Sequence, residues 1–163
     1  MLCGGKKMFA VGDKVVYPMH GVGIIEKIES HIVLGECNRY YILKFINGKM
    51  LAMVPVSSCK EVGLRSIISK QEYDKALEYF NNDEYADENP NWNQRYRDNI
   101  EKLKSGDFLA VVEVVKSLKK RNEDKGLSSG ERKIFLTAKQ VLISELMCVS
   151  GNSFEHYEKL LGI

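Results

Sequence analysis

Four cysteines, Cys3, Cys37, Cys59 and Cys148, and three histidines, His20, His31 and His156, are the side chains of this sequence best able to hold a soft metal ion or attack a substrate. Their spacing supports neither role. No C-x-x-C pair exists and no histidine stands at a zinc-finger distance from a cysteine, so no metal site is expected. Free thiols used as small hydrophobes in a reducing compartment account for the cysteines. His20 follows Tyr17-Pro18-Met19 at a strand end, with no serine or cysteine and acidic partner beside it, which leaves packing or partner contact. The carboxylates Asp83, Glu84, Asp87 and Glu88 lack a cation or apolar shell to shift a pKa and read as a solvated loop. Gly21-Val22-Gly23 lies between a turn and a strand, where glycine eases tight backbone geometry rather than cradling phosphate. Gly48-Lys49 is followed by Met50 where a nucleotide-binding loop needs Ser or Thr. Neither an enzyme nor a cofactor is expected.

The charges are more informative than the nucleophiles. The formal net charge is +2, but it is segregated along the chain. Residues 1–60 carry eight basic and four acidic groups; 61–91 carry three and eight; 92–133 carry eleven and seven. A basic stretch that includes Lys116, Lys119, Lys120 and Arg121 reads either as a phosphate-facing surface or as a solvated helix face. At 163 residues, 44% hydrophobic and 28% charged, the chain is apolar enough to fold and long enough for two small domains. No apolar run approaches the roughly 18 residues of a membrane span, and the cytosol is the expected compartment. Residues 1–7 read as a leader or remnant with no structural role.

Two periodicities divide the rest. Residues 14–17, 22–30, 39–45 and 50–56 are rich in Val, Ile, Tyr and Phe and predict at least four strands. Turn signals separate them: residues 18–21, residues 34–38 with Gly35, and Asn47-Gly48, the dipeptide best suited to a type I′ hairpin. Short strands with tight turns predict a small, strongly bent SH3-like or Tudor-like antiparallel barrel over residues 8–64. Helical spacing takes over across 65–163. Ser69 and Glu72 form a capping box for a first helix ending near Asn81. Residues 82–91 are acidic and aperiodic and predict an exposed loop that lets the downstream helices adjust their position. Asn91 caps a second helix whose apolar face is Trp92, Tyr96, Ile100 and Leu103, ending at Ser105-Gly106. Asp107 caps a third, with Phe108, Val111, Val112, Val115 and Leu118 buried and Gly126 as its left-handed stop. Ser128 and Glu131 box a fourth, from Ser129 to about Val149, and a fifth runs from Ser153 to Leu161. The fold class is therefore α+β, a small barrel followed by a compact helical bundle.

Two stretches resemble one family. V-G-D-K-V-V-Y-P-M-H-G-V-G at residues 11–23 resembles the opening of the CarD-type polymerase-interacting domain, which the bacterial transcription-repair coupling factor shares. N-W-N-Q-R-Y-R-D-N-I-E-K-L-K-S-G-D at 91–107 and G-L-S-S-G-E-R-K at 126–133 resemble the helical domain of the CarD/CdnL transcription regulators alone. The match runs from Met8 to about Met147. The coupling factor itself is excluded, because this chain has neither the length nor the phosphate loop of a helicase motor.

The resemblance implies a monomeric regulator that binds the β subunit of bacterial RNA polymerase through its barrel. Its helical domain would contact promoter DNA, largely without regard to sequence, at the upstream edge of the bubble, and stabilise the open complex. The polymerase contact implied is strand-edge addition, with Met50, Leu51, Ala52, Met53 and Val54 as the strand. His31 and Met53 stand where relatives place arginine, so an apolar contact replaces part of an electrostatic one. The family's wedge tryptophan maps to Trp92, and Arg95, Arg97, Arg132 and Lys133 fall at or beside basic family positions that would hold phosphates. Periodicity alone offers another reading of Trp92, as the first residue of a buried stripe with Tyr96 and Ile100. An adaptor that binds polymerase without touching DNA is the competing function.

Overall fold

The computed structural model describes residues 8–84 and 89–163. Residues 1–7, with Cys3, and part of the acidic loop, with Asp87 and Glu88, lie outside the described residues. Five strands form one antiparallel sheet: β1 (Lys14–Tyr17), β2 (Gly21–Val33), β3 (Glu36–Phe45), β4 (Leu51–Pro55) and β5 (Arg65–Ser66). Their order is β4-β3-β2-β1-β5. The inner face carries Val15, Ile25, Tyr41, Leu43 and Val54, closed by Cys59 and Leu64. A register shift between Ile25 and Lys27 inserts an extra residue in β2 and lets the long strand bend around that core.

The tight hairpin turn is not at Asn47-Gly48. Neither residue has positive φ; Leu34 (φ 52) and Gly35 (φ 83) do, between the last β2–β3 pair, Val33 and Glu36. Two consecutive positive φ values in a two-residue loop are the type I′ signature. The β3–β4 connection is a longer loop, because pairing resumes only at Lys44 and Leu51. The sheet also gains a strand the sequence did not announce: Arg65–Ser66 is too short to show alternation, yet it pairs with Val15 and Val16 of β1. The sheet thus extends two residues beyond position 64.

The helices are α1 (Lys70–Asn81), α2 (Trp92–Ser105), α3 (Phe108–Asp124), α4 (Ser129–Ser150) and α5 (Phe154–Leu161). Their N-caps are the expected ones, with both capping boxes formed, at Ser69–Glu72 and at Ser128–Glu131. The core of the bundle centres on α3 and α4, where Val115, Leu118, Ala138 and Ile143 are wholly buried. The basic run on α3 is in part turned into the protein. Lys116 is 3% exposed and donates to the Tyr79 carbonyl (2.6 Å), while Lys119 donates to the Leu161 carbonyl (2.8 Å).

Sheet and bundle share a built joint. The carboxylate of Glu145 on α4 is fully buried, accepting two bonds from Arg65 of β5 (2.6 and 2.9 Å) and one from the Ile68 N–H (2.9 Å). Arg65 Nε also donates to the carbonyl of Gly106, the left-handed cap of α2. Beside it, the Val22 N–H donates to Ser144 Oγ (3.3 Å). Gly21 has φ +87, and a Cβ there would sit 2.8 Å from the same oxygen, so only glycine allows this approach.

Candidate functional site

α2 begins where the Asn91 side chain accepts from the Gln94 N–H, which places Trp92 in the first turn. The predicted stripe is rotated from the observed one. The residues α2 buries are Arg95, Asn99 and Leu103, and of the expected face only Leu103 is fully covered. Trp92 is 44% exposed. One face of its indole stacks on Tyr96, with centroids 5.5 Å apart and planes at 27°, and its N–H donates to Ser128 Oγ (3.1 Å). The pair lies over the first turn of α4: a Cβ on Gly130 would meet Tyr96 Cε2 at 3.2 Å and Trp92 Cζ2 at 3.7 Å. A side chain at position 130 would push the aromatic pair outward.

Arg95 is placed differently from the other expected cations. It is 6% exposed, donates to the carbonyls of Asn89 (3.0 Å) and Pro90 (2.9 Å), and pairs with Glu131 (3.2 Å). Its guanidinium holds protein rather than facing solvent, and Glu131, 36 residues away, is what draws it inward. Arg97, Arg132 and Lys133 are exposed, on the same two helices as the Trp92–Ser128 contact. Arg121 adds an ion pair, its Nε 3.1 Å from Glu131 Oε1. Burial pushes its carboxyl upward, but hydrogen bonds from the Ser128 N–H and hydroxyl and from Arg95, with the charge of Arg121, outweigh that and hold it below the usual carboxylate range.

In the sheet, β4 pairs with β3 alone and forms one edge. Alternation sorts its residues: Leu51 and Met53, with the preceding Met50, are more than half exposed, whereas Val54 is 2% exposed and Ala52 packs on the sheet core. Ala52 and Val54 therefore offer only backbone to a partner strand. His31 stands two strands away on β2, edge-on to Tyr40 and within 3.0 Å of Glu29. His20 stacks on Tyr17 with centroids 5.1 Å apart. Sequence reasoning did not find the apolar hairpin tip, where Ile32 is 79% and Leu34 100% exposed. Nor did it link Ser128 and Glu131 to Trp92, although their capping box was the signal available. Among the described residues no group of three His, Cys, Asp or Glu is placed to hold a metal ion, and no single helix is long and apolar enough to cross a membrane.

Comparison with known proteins places both halves. The family model described as "CarD-like/TRCF RID domain" matches residues 9–68, and that described as "CarD, C-terminal domain" matches residues 75–162. The chain is 35% identical over 144 residues to YdeB of Bacillus subtilis (strain 168), whose name describes it as a candidate transcription factor; the match covers 88% of this chain and 94% of YdeB. The solved structure "CdnLNt from Myxoccoccus xanthus" is 38% identical and covers 42% of this chain and 97% of its own, with a TM-score of 0.34. The two domains in tandem, together with a relative matched over nearly its whole length, show that the chain belongs to the CarD-like family of RNA polymerase-interacting transcription regulators.

Proposed function

We propose that this protein docks on the β subunit of RNA polymerase through its β4 edge and stabilises the open promoter complex by setting Trp92 against the upstream edge of the bubble. It acts as a non-enzymatic monomer in the cytoplasm. The observation that carries this reading is the state of the indole. The residue is 44% exposed beside its stack on Tyr96, while its only polar side-chain atom is already bonded to Ser128. An indole so held can enter a base step without leaving an N–H unpaired, and it reads no base edge. Unstacking a step costs a few kcal/mol and least where the duplex is already opening, so the contact favours the open state. Arg97, Arg132 and Lys133 supply phosphate contacts; Arg95 belongs to the support beneath them.

The test is association with forked promoter DNA in the presence of polymerase across a salt series. Three phosphate contacts give a log–log slope of roughly −3, and each cation removed reduces it by about one. A slope unchanged in Arg97→Ala and Arg132→Ala favours an adaptor that never touches DNA.

A further inference from the structure

The capping-box motif occurs twice among the described residues, and the two copies are built differently. At α1 the Ser69–Glu72 box is exposed, and each partner satisfies the other. Helix capping requires no more than that. At α4 the same pair is taken further. Glu131 is 1% exposed, and its two oxygens are divided. Oε2 accepts from the Ser128 N–H (3.0 Å) and hydroxyl (3.0 Å); Oε1 accepts from Arg95 (3.2 Å) and forms an ion pair with Arg121 (3.1 Å). Ser128 Oγ in turn accepts from the Glu131 N–H (3.2 Å) and the Trp92 N–H (3.1 Å). The hydroxyl thereby uses its one donor and both acceptor positions.

Capping does not explain these additions, and burying a carboxylate between two guanidiniums is a poor route to stability alone. Their geometry converges on Trp92 from two sides. Through Ser128 the network holds the indole at Nε1. Through Arg95, which bonds the Asn89 and Pro90 carbonyls, it holds the chain just before the Asn91 cap and so fixes the backbone of Trp92. A side chain fixed at its Cα and at its far nitrogen has little freedom left in either torsion.

We infer that Glu131 is a positioning residue for Trp92: with Ser128 as the contact to the indole and Arg95 as the contact to the backbone, it sets the pose in which the ring is presented. This rests on the reading of Trp92 as the DNA-contacting residue. A pre-set pose spares the ordering cost when the complex forms, so its loss shortens the complex without removing any group that touches DNA.

Trp92 is the only tryptophan in the chain, so its fluorescence reports the pose in the free protein. Glu131→Gln and Ser128→Gly are the test variants; glycine is nearly as good an N-cap as serine, so the second retains α4 while deleting the contact to the indole. Ser128→Thr keeps a hydroxyl and should restore it. Both test variants should lower Trp92 anisotropy and red-shift its emission, and both should shorten open-complex lifetime several-fold. In a Trp92→Ala background the same changes should have no further effect on lifetime, as coupled residues require. Equal shortening in both backgrounds, or unchanged Trp92 fluorescence, overturns the inference while leaving the role of Trp92 intact. If Trp92→Ala alone leaves the lifetime unchanged, the reading beneath the inference fails, and the inference with it.

Discussion

Replacing Glu145 by alanine should cost more stability than any other single change at the joint between sheet and bundle. The carboxylate is fully buried and accepts three hydrogen bonds, two from Arg65 and one from the Ile68 N–H. Removing one member of a buried pair typically costs about 3–5 kcal/mol. Arg65 is 25% exposed and keeps its bond to the Gly106 carbonyl, so water can take up part of the stranded charge, which places the expectation near 3 kcal/mol. For a chain of this size that lowers Tm by roughly 6–12 °C. Urea unfolding monitored by circular dichroism measures it, with the slope against denaturant showing whether the transition stays two-state. A loss below about 1 kcal/mol would refute the claim that this pair carries the joint.

The same variant has a mechanical consequence. Arg65 anchors the C-terminal end of α2, and Trp92 begins its other end, about 21 Å away at 1.5 Å per residue. A tilt of about 10° at the joint would move Trp92 by roughly 3.6 Å, about one base step of DNA.

Other expectations rest on single residues. Leu34 sits at φ 52 with its side chain wholly exposed, and a left-handed L-residue costs about 1–2 kcal/mol. Leu34→Asn should therefore raise Tm by a few degrees in thermal unfolding. The Tyr73 phenol is pushed up to about 12, first by burial and then by its bond with the Tyr157 hydroxyl (2.7 Å). Stability should be flat in this respect below pH 10 and decline between 10 and 12, by about 2 kcal/mol, as the unfolded chain releases a proton that the folded one retains. Glu131 has the opposite sign. Its carboxyl is held below its ordinary value of 4.5, so its contribution is present above that pH and is lost as pH falls through the folded value; Trp92 anisotropy should fall with it in an acid titration.

Much of the fold was legible because it is local. A cap and its partner stand three residues apart, so Ser69–Glu72, Asn91, Asp107 and Ser128–Glu131 could be read directly, as could the Val-, Ile- and Tyr-rich composition of β1 and β3. What escaped were choices settled by distant partners. Arg95 reads as a surface cation until Glu131 is placed beside it, and burying it leaves Tyr96 and Ile100 half-covered against the core and Trp92 exposed. Asn47-Gly48 has the better turn residues, but the pairing of β2 with β3 puts the two-residue loop at Leu34-Gly35 instead. Arg65 and Glu145 are 80 residues apart, and no periodicity joins them. The 82–91 segment looked free to move, yet its described ends are tied down, Asn82 by Lys116 and Asn89 by Arg95. Of the candidate site, the first-turn position of Trp92 on α2 could be read from the sequence, whereas the support beneath it could not.

In the proposed function the half-exposed indole of Trp92 prolongs the open complex. The most direct measurement is the lifetime of competitor-challenged open complexes formed with polymerase and either the wild-type protein or Trp92→Ala, at protein concentrations that saturate polymerase. Trp92→Ala should bind polymerase with unchanged affinity but lose most of the gain in lifetime. A lifetime equal to wild type under saturation would contradict the claim.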